Sequence, residues 1–81
     1  MDRVIDNIRV AAVHGPGSRI CPVWFDLECK QHRIQEITNI WCERRGAMTK
    51  IYFHVTDGGA LYELVYTPSE TLWQLQRVEA L

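Results

Sequence analysis

Between residues 51 and 78, two turn signals separate three alternating segments, and they restrict what this chain can fold into. Ile51-Tyr52-Phe53-His54-Val55-Thr56 alternates with period two and is rich in β-branched and aromatic residues, the pattern of a half-buried strand. Asp57-Gly58-Gly59-Ala60 follows, and Asp-Gly and Gly-Gly tolerate the positive φ angles of tight hairpin loops. Leu61-Tyr62-Glu63-Leu64-Val65-Tyr66 alternates again. A break at Thr67-Pro68-Ser69-Glu70, with Pro68 fixing φ, leads into Thr71-Leu72-Trp73-Gln74-Leu75-Gln76-Arg77-Val78.

The two turns test each other. With Gly58-Gly59 at the first tip, Val55 faces Tyr62, Phe53 faces Leu64 and Ile51 faces Tyr66. With residues 67–70 as a four-residue loop, Tyr66 faces Thr71, Leu64 faces Trp73 and Tyr62 faces Leu75. Phe53, Leu64 and Trp73 then form one row and Val55, Tyr62 and Leu75 the next. A one-residue slip would turn these side chains to the other face, so the agreement predicts a three-stranded antiparallel meander. The opposite face receives Tyr52, Val65 and Leu72 in one row and His54, Glu63 and Gln74 in the next. Thr56, Leu61 and Gln76 make a third.

The N-terminal half carries weaker signals. Ile8 to Val13 reads as a strand from about Asn7, although Val4, Ile5, Ile8, Ala11 and Ala12 also share one helical face. Gly15-Pro16-Gly17-Ser18 is a loop. Val23 to Glu28 alternates as a strand with Pro22 at its start, and Lys30-Gln31-His32 reads as a polar turn. Arg33 to Glu43 has helical spacing at Ile34, Ile37 and Trp41. Three Ile and a Thr favour a strand instead, with a bulge near Gln35-Glu36 that restores Ile37 to the buried face. Glu43-Arg44-Arg45-Gly46-Ala47 reads as a polar loop. The expected fold is one all-β domain over residues 1–81: an antiparallel meander curling into a curved sheet or a partly open barrel of five to six strands.

Composition bounds the function. At 81 residues the chain buries only ~60–65% of its unfolded surface, so its core is modest. A 47% hydrophobic share excludes a disordered tail. The net charge of −1 argues against a dedicated duplex-DNA binder, which gains affinity by neutralising phosphates. The sequence shows no signal peptide and no run of ~20 apolar residues to span a membrane. Three cysteines cannot pair completely, so a reducing, cytoplasmic setting is expected.

The run Tyr52-Phe53-His54-Val55-Thr56-Asp57-Gly58-Gly59, then Tyr62-Glu63-Leu64 and Trp73-Gln74-Leu75, resembles the end of a small uncharacterised bacterial domain family. That family is associated with Y-family DNA polymerase-like lesion-bypass subunits, whose own C-termini end in a similar meander. Pro22-Val23-Trp24-Phe25, the turn at 29–32 and Ile37 through Trp41 extend the resemblance over roughly residues 20–78. It departs at Val65-Tyr66-Thr67, where the family has an aromatic, a basic and an acidic residue, and near 43–47, where paired Trp residues are missing. The resemblance implies a β domain in a DNA-repair setting and brings no catalytic residues.

The residues with chemistry to offer are few. Cys29 and His32 have knuckle spacing, and Cys21 and Cys42 would complete a Cys₃His zinc set, but structural sites bring their ligands as two knuckles and only one is present. No metal or cofactor is therefore expected. Cys29 or Cys42 with His14, His32 or His54 offers a nucleophile and a base without an orienting group or oxyanion site, so no enzyme is expected. Lys30 and Arg33 cluster beside His32, and Arg44, Arg45 and Lys50 flank another loop. With Trp24 or Tyr52 they are the candidate contacts for single-stranded nucleic acid. The favoured expectation is a binding or assembly module, docking an unknown protein partner or a second copy through a sheet face or edge. Tyr52, Val65 and Leu72 are its candidate surface.

Overall fold

The computed structural model describes residues 2–81, and the side chains of all of these except 2, 3 and 18. It is all-β, with two antiparallel sheets that do not close into a barrel. The chain runs β1 (Asp2–Ile5), β2 (Val10–His14), β3 (Ile20–Leu27), β4 (Lys30–Arg33), β5 (Glu36–Arg45), β6 (Met48–Thr56), β7 (Ala60–Thr67) and β8 (Leu72–Ala80). The larger sheet has the order β1-β8-β7-β6-β5, and the smaller has β2-β3-β4.

The connections explain how one sheet comes to lie over the other. After β1 the chain turns at Asn7, which takes a positive φ of 61°, and the Ile8 amide donates to Trp73 O at 2.9 Å. Three short strands follow. Then the Ile34 amide bonds Val23 O and the Gln35 amide bonds Thr56 O, returning the chain to the opposite margin of the larger sheet. The chain thus passes from one margin of the larger sheet to the other by way of the small sheet. Phe25 and Leu27 of β3 are buried with Ile8 against Phe53, Val55, Tyr62, Leu64, Trp73 and Leu75.

In the first C-terminal hairpin the predicted pairs hold: Val55 faces Tyr62, Phe53 faces Leu64 and Ile51 faces Tyr66. The second hairpin differs. Its four-residue loop is 68–71, because Thr71 takes the left-handed conformation and its amide bonds Pro68 O, so Thr67 pairs Leu72. Moving a four-residue loop by one residue moves each partner by two. The faces are kept, but Leu64 faces Leu75 and Tyr66 faces Trp73. A register shift between Glu63 and Leu64 then leaves Gln76 unpaired and sets Tyr62 opposite Val78. Trp73 is buried as expected, one row along, with its ring 5.5 Å from Phe53 and 4.7 Å from Tyr66.

In the N-terminal half the strand reading holds over the helical one, but as two strands, β1 and β2. Pro22 lies inside β3, beside the register shift between Ala11 and Ala12 and beyond the residues that β4 pairs, where its missing donor is tolerated. Lys30-Gln31-His32 is strand, not turn. The turn is Glu28-Cys29, both at positive φ (53° and 61°), as a two-residue type I′ loop requires. The bulge in β5 falls at Thr38, between Ile37 and Asn39, not at Gln35-Glu36, and the strand continues through Glu43-Arg44-Arg45. Ile37 still reaches the inner face.

The Glu28-Cys29 turn gives a first prediction. Cys29 stands where glycine is least strained. Cys29→Gly is expected to stabilise the domain by ~0.5–1 kcal/mol, a rise of a few degrees in melting temperature. Thermal denaturation checks it, and a lower midpoint would contradict a left-handed residue 29.

Candidate interaction surface

The row proposed as a docking face is not one exposed patch. Val65 is fully buried and out of a partner's reach. Its neighbours across the sheet are Tyr52 and Gln74. Tyr52 stacks on Trp41 with ring centres 4.9 Å apart, and Gln74 Nε2 donates to Asp6 Oδ1 at 2.6 Å. Two braced side chains therefore fence Val65 on both sides. Leu72 is half-buried and sits opposite Thr67, not in the Tyr52 row. The next row is His54, Glu63 and Arg77, with His54 Nε2 2.9 Å from Glu63 Oε1. Burial raises the Tyr52 hydroxyl pKa, helped by the negative charges of Glu43 and Glu63 and opposed by Arg45.

The basic residues form two groups. Lys30 and Arg33 lie on β4, and Arg33 pairs opposite Trp24, whose ring already carries the Arg9 guanidinium at 5.8 Å. Arg44 and Arg45 end β5, and Lys50 on β6 pairs opposite Glu43. Arg33 precedes the start of β5 and Arg44 lies at its far end, so the groups are separated by on the order of 25 Å of strand. They do not line one groove. Arg45, Met48, Lys50 and Tyr52 share a hollow of about 280 Å³ with Glu43.

Cys21, Cys29 and Cys42 are all free and exposed, on β3, in the β3–β4 turn and on β5. Among the described residues no three His, Cys, Asp or Glu side chains gather at one point. His32 is placed elsewhere: its Nδ1 donates to Asp57 Oδ2 at 2.8 Å, and the Tyr62 hydroxyl donates to the same oxygen at 3.0 Å. Asp57 Oδ1 accepts the amides of Gly59 and Ala60 at 2.9 and 3.0 Å. Phe25 stacks on His32 at 5.2 Å and meets Tyr62 edge-on at 4.9 Å. Burial raises the Asp57 carboxyl, but the hydrogen bonds from His32, Gly59, Tyr62 and Ala60 outweigh it and bring its pKa down to about 2. Burial first, then the bond to Asp57 and its charge, push Tyr62 up to about 12. This cluster ties β4 to the β6–β7 hairpin. No short-range spacing announces it, since 25 residues separate His32 from Asp57.

The remaining surface feature is β5. It is one margin of the larger sheet, ten residues long, while the other margin strands β1, β2 and β4 have four, five and four. Beyond Thr38 its register with β6 is regular from Asn39 to Arg45. On its inner side the small sheet stops short. That leaves an open, mainly apolar cleft of about 470 Å³ lined by Ile20, Cys21, Ile37, Ile40, Ile51 and Phe53, with Arg19 at its side. Ile40 is 55% exposed although it faces the side of the core. Trp41 is half-buried on the outer side. A strand within residues 33–43 is predicted from the residue pattern, but which strand lies at a margin is decided by long-range pairing.

No family model matches this chain, and neither a curated protein nor a solved structure matches it.

Proposed function

We propose that this domain is a non-enzymatic binding and assembly module, and that it works by pairing the free margin of β5 with an extended segment of a protein chain. The observation that supports this most is the conjunction of a long strand whose outer edge is free among the described residues with a mainly apolar cleft beside it. An added strand gains main-chain hydrogen bonds from the edge, and alternate side chains gain apolar contact. Native sheets blunt their margins with short strands, charges, proline or bulges, and β5 has its charges and its bulge toward its ends. β1, β2 and β4 are short, whereas the middle of β5 is Asn39-Ile40-Trp41-Cys42, without charge or proline. We place the module in the reducing interior of the cell, where three exposed thiols stay unpaired.

A photo-crosslinking residue tests the proposal in living cells. With p-benzoylphenylalanine in place of Ile40, one discrete adduct is expected, and peptide mapping should trace it to a single defined segment. With the same residue at Val13, which is exposed on a margin of the small sheet, none is expected. Absence of an adduct at position 40 would contradict the role of β5.

A further inference from the structure

We infer that the segment paired with β5 is β5 of a second copy of this chain, antiparallel about a two-fold axis at Trp41; this rests on the assembly role proposed above. The strand is charged at its ends and uncharged from Ile37 to Cys42, with Glu36 at its start and Glu43, Arg44 and Arg45 at its finish. The last two carry the opposite sign to Glu36, and Glu43 already faces Lys50 of β6. Glu36, Arg44 and Arg45 have no ion-pair partner among the described residues. Reversing a strand against itself brings opposite ends together, so such a strand is its own electrostatic complement.

The bulge restricts the register, and the charges choose among those left: only the register centred on Trp41 brings Glu36 opposite an arginine. Paired residues must share a face, and the pairing with β6 puts Ile37, Ile40, Cys42 and Arg44 inside and Glu36, Asn39, Trp41, Glu43 and Arg45 outside. With Trp41 opposite the partner's Trp41, Ile40 meets the partner's Cys42 and Asn39 meets the partner's Glu43. Thr38 is the extra residue. Past it, Ile37 meets the partner's Arg44 and Glu36 meets the partner's Arg45, both on the correct face. Centring on Ile40 instead sets Glu36 against the partner's Glu43, a like-charge clash that occurs twice by symmetry. In the favoured register the outer face gains a row of Tyr52, Trp41 and their two copies, continuing the stack already present. The inner face covers exposed Ile40 and joins the two apolar clefts. The result is a ten-stranded sheet with its longest free margin removed.

Sedimentation equilibrium over a concentration series tests this. Wild type is expected to reach the mass of two chains. Glu36→Arg and Arg45→Glu each place like charges together twice per dimer, and each should weaken association by about tenfold. The double variant E36R/R45E should recover most of the loss, with circular dichroism confirming that all four proteins are folded. Wild type that stays monomeric at the highest concentration overturns the inference. So do single variants that associate like wild type, or a double variant that gains nothing back. A monomer whose position-40 crosslink leads to a different protein overturns the second copy while leaving the assembly role standing. A monomer without any crosslink ends both.

Discussion

Phe25→Ala is expected to cost ~3–5 kcal/mol, enough to leave the domain largely unfolded. Phe25 has no exposed surface, and it is one of the side chains through which the small sheet meets the large one, with Leu27 and His32. It stacks on His32 from its own sheet with planes 8° apart and meets Tyr62 of the larger sheet at 67°. Truncation leaves a cavity where strands from both sheets converge, and hydrogen-bonded sheets of three and five strands have little freedom to collapse into it. Urea denaturation should show a midpoint near zero denaturant, or no cooperative transition. A loss below ~1 kcal/mol would mean that the two sheets do not share one core.

Asp57→Ala should lose ~2–4 kcal/mol, because it leaves the His32 Nδ1–H, the Tyr62 hydroxyl and the amides of Gly59 and Ala60 without their acceptor. The pH dependence follows from the same geometry. The Asp57 pKa falls from 3.8 to about 2 on folding, so the folded state prefers the carboxylate. Its contribution is fully present above the unfolded value and is lost as pH drops toward 2. The carboxylate is 17% exposed, so after solvent screening this amounts to about 1–2 kcal/mol. Tyr62 works in the other direction. Its pKa rises from 10.0 to about 12, so its contribution is present below pH 10 and fades as pH climbs toward 12. Asp57→Asn keeps an acceptor for the turn amides, removes the charge, and puts an amide nitrogen where Oδ2 accepted from His32 and Tyr62. Urea midpoints between pH 5 and pH 2 should therefore fall less steeply in D57N than in wild type, and parallel curves would reject the charge of Asp57 as the source.

Much of the larger sheet was legible in the sequence because its evidence is local. Period-two alternation and a Gly58-Gly59 tip set the β6–β7 register residue for residue. The β7–β8 register lies two residues from the one that the turn signal predicts, because it depends on Thr71 entering the left-handed region, which glycine or asparagine would announce and threonine does not. Glu28-Cys29 misled for the same reason, moving a tight turn into what is strand β4. The burial of Val65 lay beyond the pattern of its own strand. It depends on Trp41 bracing Tyr52 and on Asp6 holding Gln74 from 68 residues away. The His32-Asp57-Tyr62 cluster and the open margin of β5 are likewise products of long-range pairing, which periodicity does not encode.

Hydrogen exchange at the amides of β5 tests the central claim most directly, because alternate amides of a margin strand point toward β6 and away from it. Between Asn39 and Arg45, the amides bonded to β6 should be protected at every protein concentration. Those directed outward should exchange rapidly in dilute solution and become protected as concentration rises, while exchange in β7 stays unchanged. Outward amides that exchange rapidly at every concentration, beside a stably protected sheet, would contradict pairing of β5 with its own copy.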